Sequence, residues 1–377
     1  MRCVFKTMMI LAVSAALSVL LLGADKKEDI SAYSYIVIEA DTGMMIEGVN
    51  ADKKANISYL SKLMAILLIA EDIDQGEYTV NDVLTASDSV TGTKGSVIWL
   101  KSGDTLSVDE LLKSVIIGNA NDALTVLAEH SSGSVDDFVK DMNACAFDLG
   151  LRDTVFDSPY GYSGDNTCST AHDLAVICSE LLKHHFLQGY FSIWRDFVKN
   201  GQVELVSENT LARNYSFHAG FKACHSDEAG YCIAEGGRND NGTMFIAVIL
   251  GADSAEATFS SSKALLKKSF RDYKVADTMF PDEMLKPVLV RCGTETAVKI
   301  GIREQGKAVV PRENSELRSK IVIPEYLSAP VRAEQPVGTV AFYNGDDLVF
   351  ETDIITKSAV HKLEFTYVLE KLLYKLM

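Results

Sequence analysis

A largely buried helix that carries a lysine constrains this chain more than any other feature. Apolar residues recur with helical spacing between residues 60 and 70, and the pattern ends near Asp74-Gln75-Gly76. Lys62 lies near the start of this helix, and Ser58 is its predicted N-cap. A lysine here is either a solvated helix residue or part of a site, so residues 56–64, Asn-Ile-Ser-Tyr-Leu-Ser-Lys-Leu-Met, form the first candidate site.

The composition is that of a folded, acidic protein. Its 377 residues leave room for two domains, and 47% hydrophobic with 23% charged residues are ordinary globular values. The net charge of −16, without a basic stripe to offset phosphate repulsion, excludes nucleic acid as a partner.

The N-terminus is typical of an export signal. Arg2 and Lys6 precede an apolar run over residues 8–22, and charged residues follow from Asp25. Residues 1–24 are therefore interpreted as a signal peptide or an N-terminal anchor, and a buried N-terminal helix is the alternative. Six cysteines follow the signal, an even number that permits disulfides outside the cytoplasm.

The order of predicted elements indicates two regions. A β-hairpin at residues 33–47 and the Lys62 helix precede helices at 108–117, 121–130, 135–149 and 171–185. Strands at 219–224, 231–235 and 243–250 and a helix at 255–273 complete the first region. Short strands then predominate at 288–290, 298–302, 320–323, 339–343 and 348–353, which predicts a small all-β domain.

The C-terminal residues 358–377 are interpreted as an amphipathic helix. Its apolar face carries Phe365, Leu369 and Leu373, and most lysines fall elsewhere. Such a helix either lies on a membrane surface or packs on the β domain.

Three separated segments resemble the Ser-x-x-Lys, Ser-x-Asn and Lys-Thr-Gly set of serine acyl-transferases. In that chemistry a serine at a helix start needs a base one turn away, and a lysine on an edge strand binds a carboxylate. The matching segments are Tyr59-Leu60-Ser61-Lys62, Asn119-Ala120-Asn121 and Lys222-Ala223-Cys224.

Further segments in the same order strengthen the likeness. They include Ala40-Asp41-Thr42-Gly43, Ser158-Pro159-Tyr160-Gly161, Ser169-Thr170-Ala171-His172-Asp173 and Glu228-Ala229-Gly230-Tyr231. From about residue 33 to 356 the chain resembles the serine-type D-alanyl-D-alanine carboxypeptidases, the low-molecular-weight penicillin-binding proteins.

This resemblance implies an α/β (α+β) fold. Residues 30–277 would form a transpeptidase/β-lactamase-like catalytic domain, residues 283–356 a small C-terminal all-β domain, and residues 358–377 a membrane anchor. It also implies peptidoglycan stem peptides as ligands, β-lactams as candidate ligands, and export to the extracytoplasmic face of the bacterial membrane or cell wall. No metal or organic cofactor is implied.

All three motifs depart from the pattern. Tyr59 stands at the nucleophile position, Asn119 replaces the relay serine, and Ala223-Cys224 replaces Thr-Gly. The retained residues are Lys62, Asn121 and Lys222. Each also has a simpler interpretation, as a solvated lysine, a helix cap and a surface strand lysine respectively.

Other groups could attack in place of the missing serine. A one-residue slip at the helix start would bring Ser58 toward Lys62. Tyr59 would need a phenol pKa lowered by Lys62, and its ring would fill the space of the acyl group. Cys224 and His225 point to opposite sides of a strand, while Cys224 and Cys232 would oppose each other across a hairpin, as a disulfide or as two free thiols.

Two hypotheses follow from these residues. In the first, the protein is a pseudoenzyme that binds stem peptides or a wall-synthesis partner, with Tyr59, Asn119, Lys222 and Ser226 as substrate-binding residues. In the second, it is an active carboxypeptidase with a displaced nucleophile. The catalytic residues would then be Ser58, Lys62 and Asn121.

Overall fold

The computed structural model describes residues 30–365 except residues 163, 165 and 314. Within this part of the chain the α-helices are α1 Lys62–Gln75, α2 Val108–Ile116, α3 Asn121–Ser132, α4 Val135–Asp148, α5 Ala171–Leu181, α6 Leu187–Phe191, α7 Leu211–Asn214 and α8 Ala255–Asp272. One-turn 3₁₀ helices lie at Ser58–Ser61, Asp88–Val90 and Asp282–Met284.

The strands of the first region are β1 Ala32–Glu39, β2 Met45–Val49, β3 Ala55–Asn56, β4 Val83–Thr85, β5 Thr105–Ser107, β6 Cys168–Ser169, β7 Arg195–Val198, β8 Val203–Val206, β9 His218–Ser226, β10 Gly230–Arg238 and β11 Met244–Ala252. Those of the second region are β12 Tyr273–Thr278, β13 Val288–Arg291, β14 Ala297–Val298, β15 Ile300–Ile302, β16 Gly306–Pro311, β17 Leu317–Val322, β18 Tyr326–Ser328, β19 Pro336–Asn344 and β20 Asp347–Thr356.

A five-stranded antiparallel sheet, in the order β2-β1-β11-β10-β9, separates two hydrophobic cores. Because successive strand residues face opposite sides, Ile36 and Ile38 enter the core shared with α1 and α5, while Val37 enters the core under α8. The same alternation divides β11, whose residues are buried on both faces. The sheet therefore carries helices on each side, and its edge strand β9 borders α6 and the 3₁₀ turn before α1.

The C-terminal region is built from short strands, as predicted. A four-stranded sheet has the order β15-β20-β19-β17, and its buried side chains form a small separate core around Val340 and Ile354. Strand β12, which directly follows α8, pairs with β16 over six residues. The mixed helix-and-sheet region followed by an all-β region confirms the predicted fold class.

Three local predictions were wrong. Ser58 is not an N-cap, because it has φ +47° and opens a 3₁₀ turn, and α1 begins only at Lys62. The helix predicted at 171–185 ends at Leu181, although its predicted Thr170 cap does accept from the Asp173 amide. Both differences reflect tertiary packing that sequence periodicity does not record.

The start of the predicted C-terminal helix is also different. Val360 is buried and bridges to Val331, and the Leu363 amide donates to the Cys292 carbonyl, so residues 360–363 are held along the β region. The interpretations of residues 1–24 and of residues 366–377 fall outside the described residues. No helix among those described is long and apolar enough to cross a membrane.

Candidate active site

The turn before α1 presents Tyr59 to the outside and buries its neighbours. Ser58, Leu60 and Ser61 are buried in this 3₁₀ turn, whereas Tyr59 is half-buried. Its ring centroid lies 4.4 Å from the Lys62 Nζ, within the range of a cation–π contact. The side chain at the predicted nucleophile position therefore lies over the amine that was predicted to act as the base.

Lys62 is fully buried and its amine is already bonded. Its Nζ donates to the Tyr160 carbonyl at 3.2 Å. Burial holds the pKa of Lys62 well below its usual value, and the positive charge of Lys222 lowers it further. A lysine with a lowered pKa could accept a proton, but Tyr59 and Tyr160 occupy the space around this one.

The Ser58 hydroxyl is enclosed by the protein. Its Oγ is buried and has no hydrogen-bond partner among the described residues. On one side Gly161, with φ +72°, approaches so closely that a Cβ there would lie 1.9 Å from the Ser58 carbonyl oxygen. The Ser61 hydroxyl donates to the Pro159 carbonyl at 3.2 Å, which fixes the same contact between the two segments.

The second motif lies at the start of α3. The backbone of Asn119 is left-handed, with φ +56°, and its Oδ1 is buried without a partner among the described residues. Asn121 is the first helical residue rather than the cap, and its Nδ2 donates to the Lys94 carbonyl at 2.7 Å. Tyr162 donates to the same carbonyl and stacks on Tyr160 with centroids 4.9 Å apart.

Lys222 on β9 is buried and bonded to backbone. Its Nζ donates to the carbonyls of Val115 and Ile116 at 3.0 and 2.8 Å. These are C-terminal carbonyls of α2, which a cation stabilises because the helix leaves them without intrahelical donors. Burial lowers the pKa of Lys222 to about 8. The Lys222 amine therefore points at the C-terminal end of α2.

The residues after Lys222 serve the β9–β10 hairpin. Cys224 lies directly opposite Cys232, and both are buried free thiols. The Cys224 Sγ also approaches the Ile57 carbonyl at 3.8 Å, beneath the Tyr59 turn. Ser226 accepts from the Ala229 amide at 3.1 Å and so stabilises the hairpin turn.

One further residue, Glu208, acts electrostatically on these motif residues. The exposed carboxylate of Glu208 acts on Tyr59, Lys62 and Lys222. Burial raises the pKa of Tyr59, and the charge of Glu208 raises it further, which is opposite to the lowered pKa that attack by Tyr59 would need. Tyr59 is a poor nucleophile for that reason.

These contacts join the predicted residues into what we call the motif site, formed by Tyr59, Lys62, Asn121 and Lys222. Sequence reasoning missed Glu208 and Tyr162, since neither stands in a motif. It had quoted Gly161 only as part of a resembling segment, although a glycine after Pro-Tyr is a signal for a close backbone approach.

A groove lies away from the motif site. A groove of about 840 Å³ opens between the β1–β2 turn and the β region, lined among others by Asp41, Met279 and Phe350, and no motif residue lines it. The described residues contain no group of three or more His, Cys, Asp or Glu side chains suited to a metal ion.

Two models of known families match this chain. The model of the D-alanyl-D-alanine carboxypeptidase family matches residues 23–254, and that of the penicillin-binding protein 5 C-terminal domain matches residues 275–362. Among relatives, D-alanyl-D-alanine carboxypeptidase DacF of Bacillus subtilis is 27% identical over 345 residues, covering 90% of this chain and 88% of its own. DacC of Escherichia coli is 29% identical over 325 residues, covering 83% and 80%.

Solved structures give the same result. Penicillin binding protein 5 from Haemophilus influenzae superposes with a TM-score of 0.83 at 24% identity, covering 89% of this chain and 99% of that one. Penicillin-binding protein D2 from Listeria monocytogenes, in a cefotaxime-bound form, has a TM-score of 0.58 at 30% identity and covers 64% and 98%. This chain belongs to the D-alanyl-D-alanine carboxypeptidase family, with a C-terminal domain of the penicillin-binding protein 5 type.

Proposed function

We propose that this protein binds peptidoglycan stem peptides at the motif site without cleaving them as its relatives do. The observation that carries the proposal is the Tyr59 ring, which stands at the nucleophile position and covers the Lys62 amine at 4.4 Å. A phenol with a raised pKa does not supply the alkoxide-like nucleophile that acyl transfer requires. In this proposal the protein is a pseudoenzyme of peptidoglycan metabolism.

The motif departures act together in this proposal. Lys62 donates to Tyr160 and lies under the Tyr59 ring, while Lys222 donates to two α2 carbonyls, so both amines are directed at protein groups. Asn119 and Asn121 each keep a buried oxygen without a partner in the described part of the chain. These two oxygens have hydrogen-bond acceptor capacity left beside the site, which favours a retained binding role.

The alternative, an active carboxypeptidase that uses Ser58, has less support. Ser58 retains a hydroxyl four residues before Lys62, which is the observation in its favour. Its Oγ is buried, however, and Lys62 donates elsewhere. Attack from Ser58 would need the 3₁₀ turn to rewind against Gly161.

Intact mass spectrometry after incubation with a penicillin tests the proposal. Wild type and Ser58→Ala are expected to show no adduct, and release of D-alanine from a pentapeptide is expected to stay at background. Tyr59→Ser is the informative variant, because it returns a hydroxyl to the nucleophile position beside Lys62. An adduct that maps to Ser58, or turnover that Ser58→Ala abolishes, would overturn the proposal and favour the alternative.

We further propose that the protein acts on the extracytoplasmic side of the membrane or in the cell wall. The basis is the predicted signal over residues 1–24 together with the named activity of its relatives. Membrane contact through residues 358–377 stays a prediction. Cell fractionation of the full chain, with and without residues 366–377, tests both.

A further inference from the structure

The groove between the β1–β2 turn and the β region, which we call the junction groove, has walls that the protein itself holds in place. On one side the Glu39 carboxylate accepts from the amide and the hydroxyl of Thr42 at 2.8 and 2.7 Å. The Thr42 hydroxyl accepts in turn from the Met44 amide at 3.2 Å. An ion pair of 2.7 Å between Asp41 and Lys307 ties this turn to β16. The groove is therefore formed without a ligand.

Apolar side chains line the groove and remain open to solvent. Phe350 on β20 lies against the backbone of Gly306, where a Cβ would come within 2.2 Å of its ring. Met279 is 66% exposed and Leu348 is 52% exposed. Exposed methionine and leucine at a concave surface are typical of a site for apolar side chains, because methionine is flexible and polarisable.

The charges that line the groove are mostly acidic. Asp277 lies directly opposite Lys307 in the β12–β16 ladder, and Glu304 comes just before β16. Both carboxylates are exposed, and among the described residues neither forms a hydrogen bond or an ion pair. Lys307 is already paired with Asp41. Two negative charges thus remain beside an apolar surface, which favours a cationic partner and repels nucleic acid or anionic lipid.

The end of the described chain lies away from the groove. Phe350 is near the start of β20, and Thr356 ends this strand about 20 Å further along at about 3.3 Å per residue. Val360, which pairs with Val331, lies beyond that end. The groove is therefore left to a separate molecule.

We propose that the junction groove docks a segment of a partner protein in which leucine-like side chains are flanked by lysine or arginine. The apolar side chains would pack on Met279, Leu348 and Phe350, and the cations would pair with Asp277 and Glu304. A volume of about 840 Å³ is within the range of about 300–1,000 Å³ for ligand sites, so it suits a short segment. This docking is separate from the motif site and does not depend on binding of stem peptides there.

Calorimetry on the full chain with three short amphipathic peptides tests the proposal. The first consists of leucine and lysine, the second has glutamate for each lysine, and the third has serine for each leucine. The first is expected to bind once per chain, and the other two at least about ten-fold more weakly. Added salt should weaken binding of the first peptide.

Two double variants of exposed carboxylates test the charges. Asp277→Asn with Glu304→Gln is expected to weaken binding of the leucine–lysine peptide about three- to ten-fold. Asp240→Asn with Glu256→Gln makes the same change of charge at exposed residues that do not line the groove, and is expected to leave binding unchanged.

Two further double variants test the apolar contacts. Met279→Gln with Leu348→Gln is expected to weaken binding about ten-fold. Phe147→Gln with Leu289→Gln, at exposed residues that do not line the groove, is the matched control.

Several results would overturn the proposal. They are absence of binding, equal losses in a groove variant and its control, and equal binding of the glutamate or the serine peptide. Sedimentation that shows a dimer lost in the Met279→Gln, Leu348→Gln variant would assign the groove to a second copy of this chain instead. Binding to phosphatidylglycerol vesicles that the same variant loses would assign it to a membrane surface.

Discussion

Replacing Gly161 by alanine should lower the free energy of unfolding, because Gly161 packs against the backbone of the turn that carries Tyr59. Gly161 has φ +72°, a conformation in which a Cβ is strained. A Cβ built there would lie 1.9 Å from the Ser58 carbonyl oxygen and 2.8 Å from the Ser61 Oγ. An ordinary contact begins at 3.4 Å, so one of the two backbones would have to move by about 1.5 Å.

The expected loss of unfolding free energy has two parts. The left-handed conformation costs a residue with a side chain about 1–2 kcal/mol. Forcing an extra carbon into a packed contact costs about 1–3 kcal/mol more. Gly161→Ala should therefore destabilise the protein by about 2–5 kcal/mol.

Gly150→Ala is the matched control. Gly150 has a similar φ of +77°, but no heavy atom lies within 4 Å of the position that its Cβ would take, so only the conformational cost of about 1–2 kcal/mol applies. Urea unfolding followed by fluorescence of Trp99 and Trp194 measures both variants. Equal losses in the two variants would refute the reasoning that Gly161 is fixed by the Ser58 carbonyl.

Three further predictions concern buried polar groups. Lys222→Met should lower the unfolding free energy by about 1–3 kcal/mol, because it leaves two α2 carbonyls without donors, and urea unfolding beside Lys94→Met, at an exposed lysine, checks this. Burial lowers the pKa of His218, but its hydrogen bond to Glu235 raises the pKa overall. Wild type should therefore be more stable than His218→Gln by about 3–5 kcal/mol below pH ~6.5. This difference in unfolding free energy should shrink as the pH rises through the raised pKa of His218, and unfolding curves taken across that range measure it. Cys224 and Cys232 are free thiols in the structure but lie opposite each other, so an oxidising compartment should link them, and non-reducing peptide mapping of protein recovered from it should find the linked pair.

Each of these predictions has an outcome that contradicts it. A stability difference for His218→Gln that grows with pH would mean that the imidazole is neutral in the fold. Loss of stability in Lys94→Met equal to that in Lys222→Met would argue against the carbonyl contacts. Two thiols free for alkylation in the denatured, unreduced protein would exclude the disulfide.

The sequence predicted most of the scaffold because the scaffold follows local rules. Alternation along β1 and β11 and the Thr170 cap are set by neighbouring residues, so their positions could be predicted within a residue or two. The β7–β8 hairpin was missed, because its short strands carry charged residues such as Arg195 and Glu204, which form an ion pair, and lack a clear hydrophobic pattern.

The motif site was less predictable. Residue types located Lys62, Asn121 and Lys222, but not the acceptors to which their side chains donate, since Tyr160, Lys94 and Ile116 are distant in sequence. Ser58 was expected to cap a helix, but it has φ +47°, its amide donates to the Asn56 side chain and its carbonyl lies against Gly161. Side-chain chemistry could be predicted from the sequence where a motif existed, and tertiary contacts decided the rest.

The pairing of β12 with β16 has a mechanical consequence. The chain leaves α8 not through a flexible linker but through a strand hydrogen-bonded to the second region over six residues. Val309 of β16 also belongs to the core beneath α8, which adds apolar contact to the same junction. A force applied at the far end of the β region would thus be transmitted to the central sheet as shear along paired strands, and the motif site would sit at a set distance from whatever holds that end.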